Sequence, residues 1–586
     1  MKLTRKLSNH LTAIKKMELC PSLFNMYSER YSLGFLMNDV FSGMRIFMML
    51  CPIVLALAFF CGASVSQGII SCAVAAIISA IFGGSKYQIT SLAFPLCVVT
   101  FEILSKYQYK GLLFVAIFAS IALIVLGLLR VGEVLKHLSY AFISALAVYV
   151  ALSIIVNQAQ YILDINTISS TQGLLNNISL FSDNFDKLTT TNLLISLSFL
   201  APLLVIRIFL KSFSGFFVYL ALGCAVAYAS EMGMIPSFVD INTIGKEFIS
   251  QNIDNIMNIS RTAPSQTFLA NTLNYSFAVA LLIAAEASFC TSVASSITGD
   301  GRVQTNMELI SSGISNFASV ASGGLFVSPN TVFSLKNIAC KAKTIVPTIV
   351  ISLLAFVFLF YSNIILKYMP IYCISSILIV YSFVELAHRK MLQYFNPKNN
   401  DCYIFFATFL IAMFFGFIPA VIIGFLMSTI FVSKRLIKVK DSLVHTTKDH
   451  DTGAIEFMTK KNGFATTNNI PEHVLAKIEV IQISNMMFLN IAKVIEEALS
   501  ARGHFPSVLI VYFKNVPFLD GDAFSSLKDI VKGAAAKNCI TMICGTNGML
   551  LDAIQQKADA DDSKDSFGYI VPDFKDAINR TVKRLG

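Results

Sequence analysis

The chain contains no tryptophan and little charge: Asp, Glu, Lys and Arg make up only 14% of its 586 residues, against about 25% in soluble domains. With 55% hydrophobic residues and a mean hydropathy of +0.68, that scarcity excludes an ordinary water-soluble globule and points to a lipid environment. No CxxC pair at metal-ligand spacing occurs among the 12 cysteines. Most lie in apolar segments (Cys51, Cys61, Cys72, Cys97, Cys224, Cys290) and read as small, reduced hydrophobes. The seven histidines also lack ligand spacing, and no Ser/His/Asp order or phosphate loop is placed to work. Gly545-Thr546-Asn547-Gly548 reads as a strand-to-helix turn. A metal site, a cofactor and covalent catalysis are therefore not expected, and the chain is not read as an enzyme. Nor is a cleavable leader, because Met1 to Arg30 stays polar and basic for too long. The formal charge of +10 reflects Lys and Arg beside apolar segments rather than nucleic-acid binding.

What is present is a succession of apolar runs from about Ile46 to Val432, then a tail of ordinary soluble composition. The expected organisation is a cytoplasmic N-terminal region over 1–45, a membrane domain over 46–433, a linker over 434–469 and a soluble domain over 470–586. Fourteen spans are expected. The first seven are Ile46–Cys61, Gly68–Phe82, Ile89–Leu104, Gly111–Leu129, Leu138–Ile162, Asn192–Leu210 and Gly215–Ser230. After a polar stretch the second seven are Phe268–Ile297, Glu308–Ala321, Ser328–Lys341, Thr344–Tyr361, Ile371–Leu386, Cys402–Phe415 and Pro419–Val432. Basic pairs follow the even-numbered spans (Arg130/Lys136, Arg207/Lys211, Lys341/Lys343, Arg389/Lys390, Lys434/Arg435), which places both termini in the cytoplasm. Without tryptophan, any interfacial aromatic belt falls to Tyr and Phe. In the tail, β-branched runs at Ile478–Ile483, Ser507–Tyr512 and Cys539–Cys544 alternate with amphipathic stretches Leu489–Ser500 and Asp522–Lys532, the pattern of a mostly parallel sheet.

The third and tenth segments are both short, and each follows a break, Gly83-Gly84-Ser85 or Gly323-Gly324. Short interrupted helices at matching places in two halves are the sequence pointer to an inverted-repeat transporter and its binding site. Helix amino ends attract anions through backbone N–H groups and the helix dipole. The expected substrate-binding residues are Thr90 and Ser91 on one side, and Val327, Ser328, Pro329 and Asn330 on the other, although Ser and Asn at such positions also serve as caps. Glu286, alone in the apolar run Phe277–Cys290, is either a proton carrier, a Na⁺ ligand or a structural carboxylate. Cys290 lies one turn on. Lys336 either adds positive charge near the site, reaches toward the cytoplasm or pairs with a carboxylate. Asp39, Arg45 and Glu308, at segment ends, read as interfacial anchors.

The order of motifs resembles the SulP anion transporters. Thr298-Gly299, Asn306-Met307-Glu308-Leu309 and Gly313-Ile314-Ser315-Asn316 are similar to that family's eighth and ninth helices. Gly323-Gly324 and Asn337 continue the pattern into the tenth. Asp39, Ser42-Gly43, Pro52 and Phe82-Gly83-Gly84-Ser85 look like the first two helices, and Phe488-Leu489-Asn490 with Val516-Pro517-Phe518-Leu519-Asp520 like its STAS domain. The resemblance implies 14 helices in 7+7 inverted repeats, a core domain moving against a gate domain, a homodimer in the membrane lipid, and a small inorganic or carboxylate anion held between the third and tenth helices. It also implies H⁺ or Na⁺ coupling at Glu286. The sequence departs from the family at Thr90-Ser91-Leu92-Ala93, where a Ser-Gly-Pro-Thr-like lead into the helix is usual, at Phe333, where many members carry a basic residue, and at Asp522, where a phosphorylatable Ser or Thr is common.

The expected function is secondary active anion transport of bicarbonate, sulfate or a dicarboxylate in a bacterial inner membrane. An uncoupled exchanger or channel-like conductor, or a membrane scaffold whose tail acts, are the alternatives. A nucleobase permease would not be expected to carry this tail.

Overall fold

A computed structural model describes residues 33–136, 138–163, 174–183, 198–205, 214–232, 266–298, 303–388 and 400–431 of the apolar region. In the tail it describes 478–484, 507–514, 539–544, 569–571 and 574–585, with a few isolated positions elsewhere. The chain divides into two compact units, Met1–Ala294 with Arg302–Val432, and Ser433–Gly586 with Ser295–Gly301.

In the first unit the helices are α1 (Leu33–Phe60), α2 (Val65–Phe82), α3 (Leu96–Leu128), α4 (Tyr140–Leu163), α5 (Leu174–Asp183), α6 (Ser214–Glu231), α7 (Gln266–Thr298), α8 (Thr305–Ala321), α9 (Thr331–Ala339), α10 (Val346–Lys367), α11 (Ile371–His388), α12 (Asn400–Phe415) and α13 (Phe417–Phe431). Two three-residue strands, β1 (Thr90–Leu92) and β2 (Val327–Pro329), interrupt them. Five of the described helices are long and apolar enough to cross a membrane, and further shorter apolar helices accompany them. The fold is that of a polytopic α-helical membrane protein. The expected sixth span, Asn192–Leu210, lies mostly outside the described residues.

Three expectations change. Helix α1 starts at Leu33, well before Ile46, because Asp39 and Ser42, which precede the expected span, are buried against protein. Asp39 is buried and its Oδ1 accepts from the Lys343 backbone N–H (3.0 Å) while Oδ2 accepts from the Thr344 hydroxyl (2.6 Å). Asn38 donates to the Cys340 and Lys341 carbonyls (3.3 and 3.1 Å). Asp39 therefore fastens the corner between α9 and α10 and is not an interfacial anchor. Glu308 also leaves that role: fully buried, it accepts the Gly84 N–H at Oε2 (2.9 Å). A Cβ on Gly84 would collide with the Gln304 carbonyl oxygen, so only glycine lets the break lie this close to α8. Arg45, the third of the set, is exposed. Finally, the expected third and fourth spans are the two halves of α3, which breaks at Gln108 (φ 55°, ψ −164°), between Leu104 and Gly111.

The helices fall into two groups. Helices α1, α2, α3, α8 and α10 pack together, while α4 packs on α11 and α12, and α6 on α11; α1 also touches α6 and α11. Beside α1, α2 and α8 the two expected short segments meet. Neither is a continuous helix: β1 and β2 pair antiparallel, with Thr90 opposite Pro329, Ser91 opposite Ser328 and Leu92 opposite Val327, all buried.

Irregular backbone at membrane depth survives only where protein satisfies its polar groups. Here the neighbouring helices do so with short side chains. Asn316 on α8 grips Val327 from both ends of its amide, donating to the carbonyl (2.8 Å) and accepting from the N–H (2.9 Å). The Ser71 hydroxyl accepts from the Leu325 N–H (2.6 Å) and the Ser319 hydroxyl donates to the Leu325 carbonyl (2.7 Å). Ser334 accepts from the Ile89 N–H (3.0 Å), whose carbonyl accepts from the Asn330 N–H (2.8 Å). Asn337 donates to the Tyr87 carbonyl (3.0 Å) and accepts from Ser42 (3.0 Å).

In the second unit four strands, β3 (Ile478–Ser484), β4 (Val508–Lys514), β5 (Ile540–Cys544) and β6 (Tyr569–Val571), form a wholly parallel sheet in sequence order, followed by helix α14 (Phe574–Leu585). The three expected strands sit within about two residues of their observed places; β6 and α14 were not foreseen. The expected tail helices, the linker and the Asp520–Ala523 loop lie outside the described residues.

Asn316→Ala leaves the Val327 N–H and C=O buried without that amide, at about 1–3 kcal/mol for each group. The purified variant is expected to melt well below wild type in detergent or lipid, whereas Ser105→Ala, on the exposed side of α3, is expected to melt as wild type.

Candidate functional site

Where the two strand crossings end, a small cavity opens between the helix groups. One wall is Ala93, Phe94 and Pro95, the turn that leads from β1 into α3; another is Pro329, Asn330, Thr331 and Val332, the passage from β2 into α9. Glu286 and Phe289 of α7, Tyr140 of α4 and Glu385 of α11 complete it. A larger cavity is lined by Phe101, Glu102, Tyr149, Asn157 and Asn177 among others. We place the candidate site in the smaller one, because there both chain breaks and a buried carboxylate converge.

The expected binding residues separate. Pro329, Asn330 and Glu286 reach the cavity. Thr90, Ser91, Val327 and Ser328 are spent in the strand pair behind it and do not line it. The helix of the third segment begins only at Leu96, so residues 90 and 91 are not at its amino end. Lys336 lies in the last turn of α9, away from the lining. Cys290 is buried one turn beyond Glu286, its thiol against Ser334 and Thr331.

The helix amino ends are also less open than their sequence suggests. Asn330 caps α9, its Oδ1 accepting from the Val332 and Phe333 N–H groups (3.1 and 3.4 Å). At α3 the Leu96 and Cys97 N–H groups bond the Ala93 and Phe94 carbonyls (3.2 and 3.3 Å). What these ends offer the cavity is chiefly the dipole of two helices. The Asn330 amide, its oxygen committed to the cap, has only N–H₂ left to give, the polarity an anion needs.

Sequence reasoning missed the aromatic walls and Glu385. Tyr140 stacks on Phe289 (ring centroids 4.2 Å, 18° between planes) and Tyr381 meets Phe94 edge-on (5.5 Å, 79°). Glu385 is buried and accepts from the Tyr381 hydroxyl (2.8 Å). The criterion that singled out Glu286, a lone carboxylate in an apolar run, applies equally to Glu385. It was obscured by the basic residues Arg389 and Lys390 that follow.

Residues 36–408 match the model of the sulfate permease family. The chain belongs to the sulfate permease family. It is 23% identical over 527 residues to YvdB of Bacillus subtilis (strain 168), named as a candidate sulfate transporter, covering 88% of this chain and 92% of that protein. Over 530 residues it is 21% identical to the bicarbonate transporter BicA of Picosynechococcus sp. (strain ATCC 27264 / PCC 7002 / PR-6), covering 87% of this chain and 89% of BicA. Among solved structures the overall structure of SLC26A9 superposes with a TM-score of 0.60 at 15% identity, covering 98% of this chain and 94% of the other. Membership makes this a multi-pass membrane protein of a transporter family.

Asn330 allows the cap to be separated from the pocket. Asn330→Ala is expected to lose about 1 kcal/mol of helix capping. Asn330→Asp keeps a capping oxygen but adds negative charge to the cavity; it is expected to melt near wild type while losing any thermal stabilisation by added sulfate or bicarbonate.

Proposed function

We propose that this protein is a secondary active transporter of a small anion, of the bicarbonate, sulfate or dicarboxylate class, coupled to H⁺ or Na⁺ through Glu286. The observation that carries the reading is the convergence of both chain breaks and the buried Glu286 on one cavity between two helix groups. The family and the names of YvdB and BicA support the anion class. A carboxylate beside an anion site is costly unless a cation neutralises it, which is a physical basis for coupling. In this reading the group containing α1, α2, α3, α8 and α10 is the core that carries the anion, and the α4, α6, α11 and α12 group is the gate against which it moves. The parallel sheet of the tail is a cytoplasmic STAS domain, both termini are cytoplasmic, and the protein works as a homodimer in a bacterial inner membrane. The competing reading is an uncoupled exchanger or channel-like conductor in which Glu286 is structural.

Uptake of labelled sulfate, bicarbonate and dicarboxylates into proteoliposomes, with and without pH and Na⁺ gradients, decides between them. Glu286→Gln is expected to abolish accumulation against a gradient while the variant folds. Gradient-driven uptake that survives the substitution would overturn the coupling role and favour the exchanger.

A further inference from the structure

Two carboxylates line the candidate cavity, one from α11 and one from α7, whose Tyr275 hydroxyl donates to Glu102 of α3 (2.8 Å), and no Lys or Arg is among the lining residues. Glu286 comes from α7 and Glu385 from α11. Tyr140 is the other titratable lining residue, and Tyr381 bonds Glu385 from its own helix. The charged groups on the other helices packed against α11 are engaged elsewhere or exposed. Asp39 of α1 holds the α9–α10 corner and Arg45 is exposed. Glu231 of α6 pairs with Lys367 (3.0 Å), and Asp401 of α12 accepts from Ser139 (2.9 Å). Among the described residues, the walls an anion would meet carry two buried carboxylates and no Lys or Arg. A bound anion adds a third acidic or anionic group to one space, and a cation that enters with it lowers their mutual repulsion.

We propose that Glu385 is a second pocket carboxylate, a positioning residue that sets how many monovalent cations accompany each anion. The inference rests on the reading of this cavity as the anion site. Glu286 and Glu385 then form a pair split between the two moving groups, with H⁺ or Na⁺ as the cation that lets both face an occupied site. The Tyr381 hydroxyl holds Glu385 in place, and the Tyr381 ring lies on Phe94 just ahead of α3, so the carboxylate is referenced to the helix whose amino end faces the anion.

The test uses the full chain in proteoliposomes. Flux of labelled sulfate and of labelled bicarbonate is brought to zero net movement against set pH or Na⁺ gradients, which gives cations per anion and identifies the cation. Glu385→Gln is expected to lower that ratio by one cation per anion. Gln keeps an acceptor for Tyr381, and Glu385→Ala does not. A purely structural Glu385 predicts a destabilised Ala variant and a Gln variant with the wild-type ratio, and that result overturns the proposal. A second readout needs no transport: because the chain lacks tryptophan, Tyr140→Trp places a single fluorophore in the cavity wall. Titrated with Na⁺ at fixed pH, or with acid in Na⁺-free buffer, its signal is expected to shift midpoint by about tenfold on adding Glu385→Gln in the arm of the coupling cation. A shifted midpoint without uptake of any anion would sink the proposed function and keep the carboxylate pair. Uptake with neither readout moved would sink the pair and keep the function.

Discussion

The structure depends on one constraint: a chain that breaks its helices inside a lipid layer must find hydrogen bonds for every group the breaks release. Each unsatisfied group there costs several kcal/mol. The protein meets the requirement by letting its two breaks serve one another as β1 and β2, then lining the remaining carbonyls and N–H groups with Asn316, Ser71, Ser319, Ser334 and Asn337. Ser71 of α2, Asn316 and Ser319 of α8, and Ser334 and Asn337 of α9 have their explanation here. In a soluble protein many of them would be surface residues.

With the crossing secured, the cavity follows. The strand pair fixes where α3 and α9 begin, and therefore that their amino ends face one space. Pro95 and Asn330 stand immediately before the two helices. The far wall comes from elements remote in sequence, α4 and α11, and it is aromatic except for Glu385. The arrangement joins a hydrogen-bonded frame that carries the dipoles to an apolar surface that excludes water, so electrostatic interactions inside are weakly screened.

Composition and apolar runs made the membrane fold, most helix boundaries and the parallel strands of the tail readable, because those features are local or periodic. Glu286 was readable for the same reason: a carboxylate in an apolar run is an anomaly within a few residues. Thr90, Ser91, Val327 and Ser328 were legible as a special place but not as strands, since each needs its partner more than 200 residues away to become one. Asp39 and Glu308 were mistaken for anchors because polarity at a segment end looks the same whether it faces a headgroup or a backbone N–H. The aromatic walls gave no signal at all, since a Tyr or Phe in an apolar helix looks the same whether it faces lipid, core or cavity.

The clasp of α1 on the α9–α10 corner, through Asn38, Asp39 and Ser42, has a mechanical side. Those bonds are directional, and Asp39 and Ser42 are buried, so the elements they join are held in fixed register. The contacts between Phe94 and Tyr381 and between Phe289 and Tyr140 are apolar ring contacts, edge-on in the first and stacked in the second. In the proposed core-and-gate motion, these ring contacts would be the surfaces that slide, and the clasp would keep the half-helices aimed at the cavity.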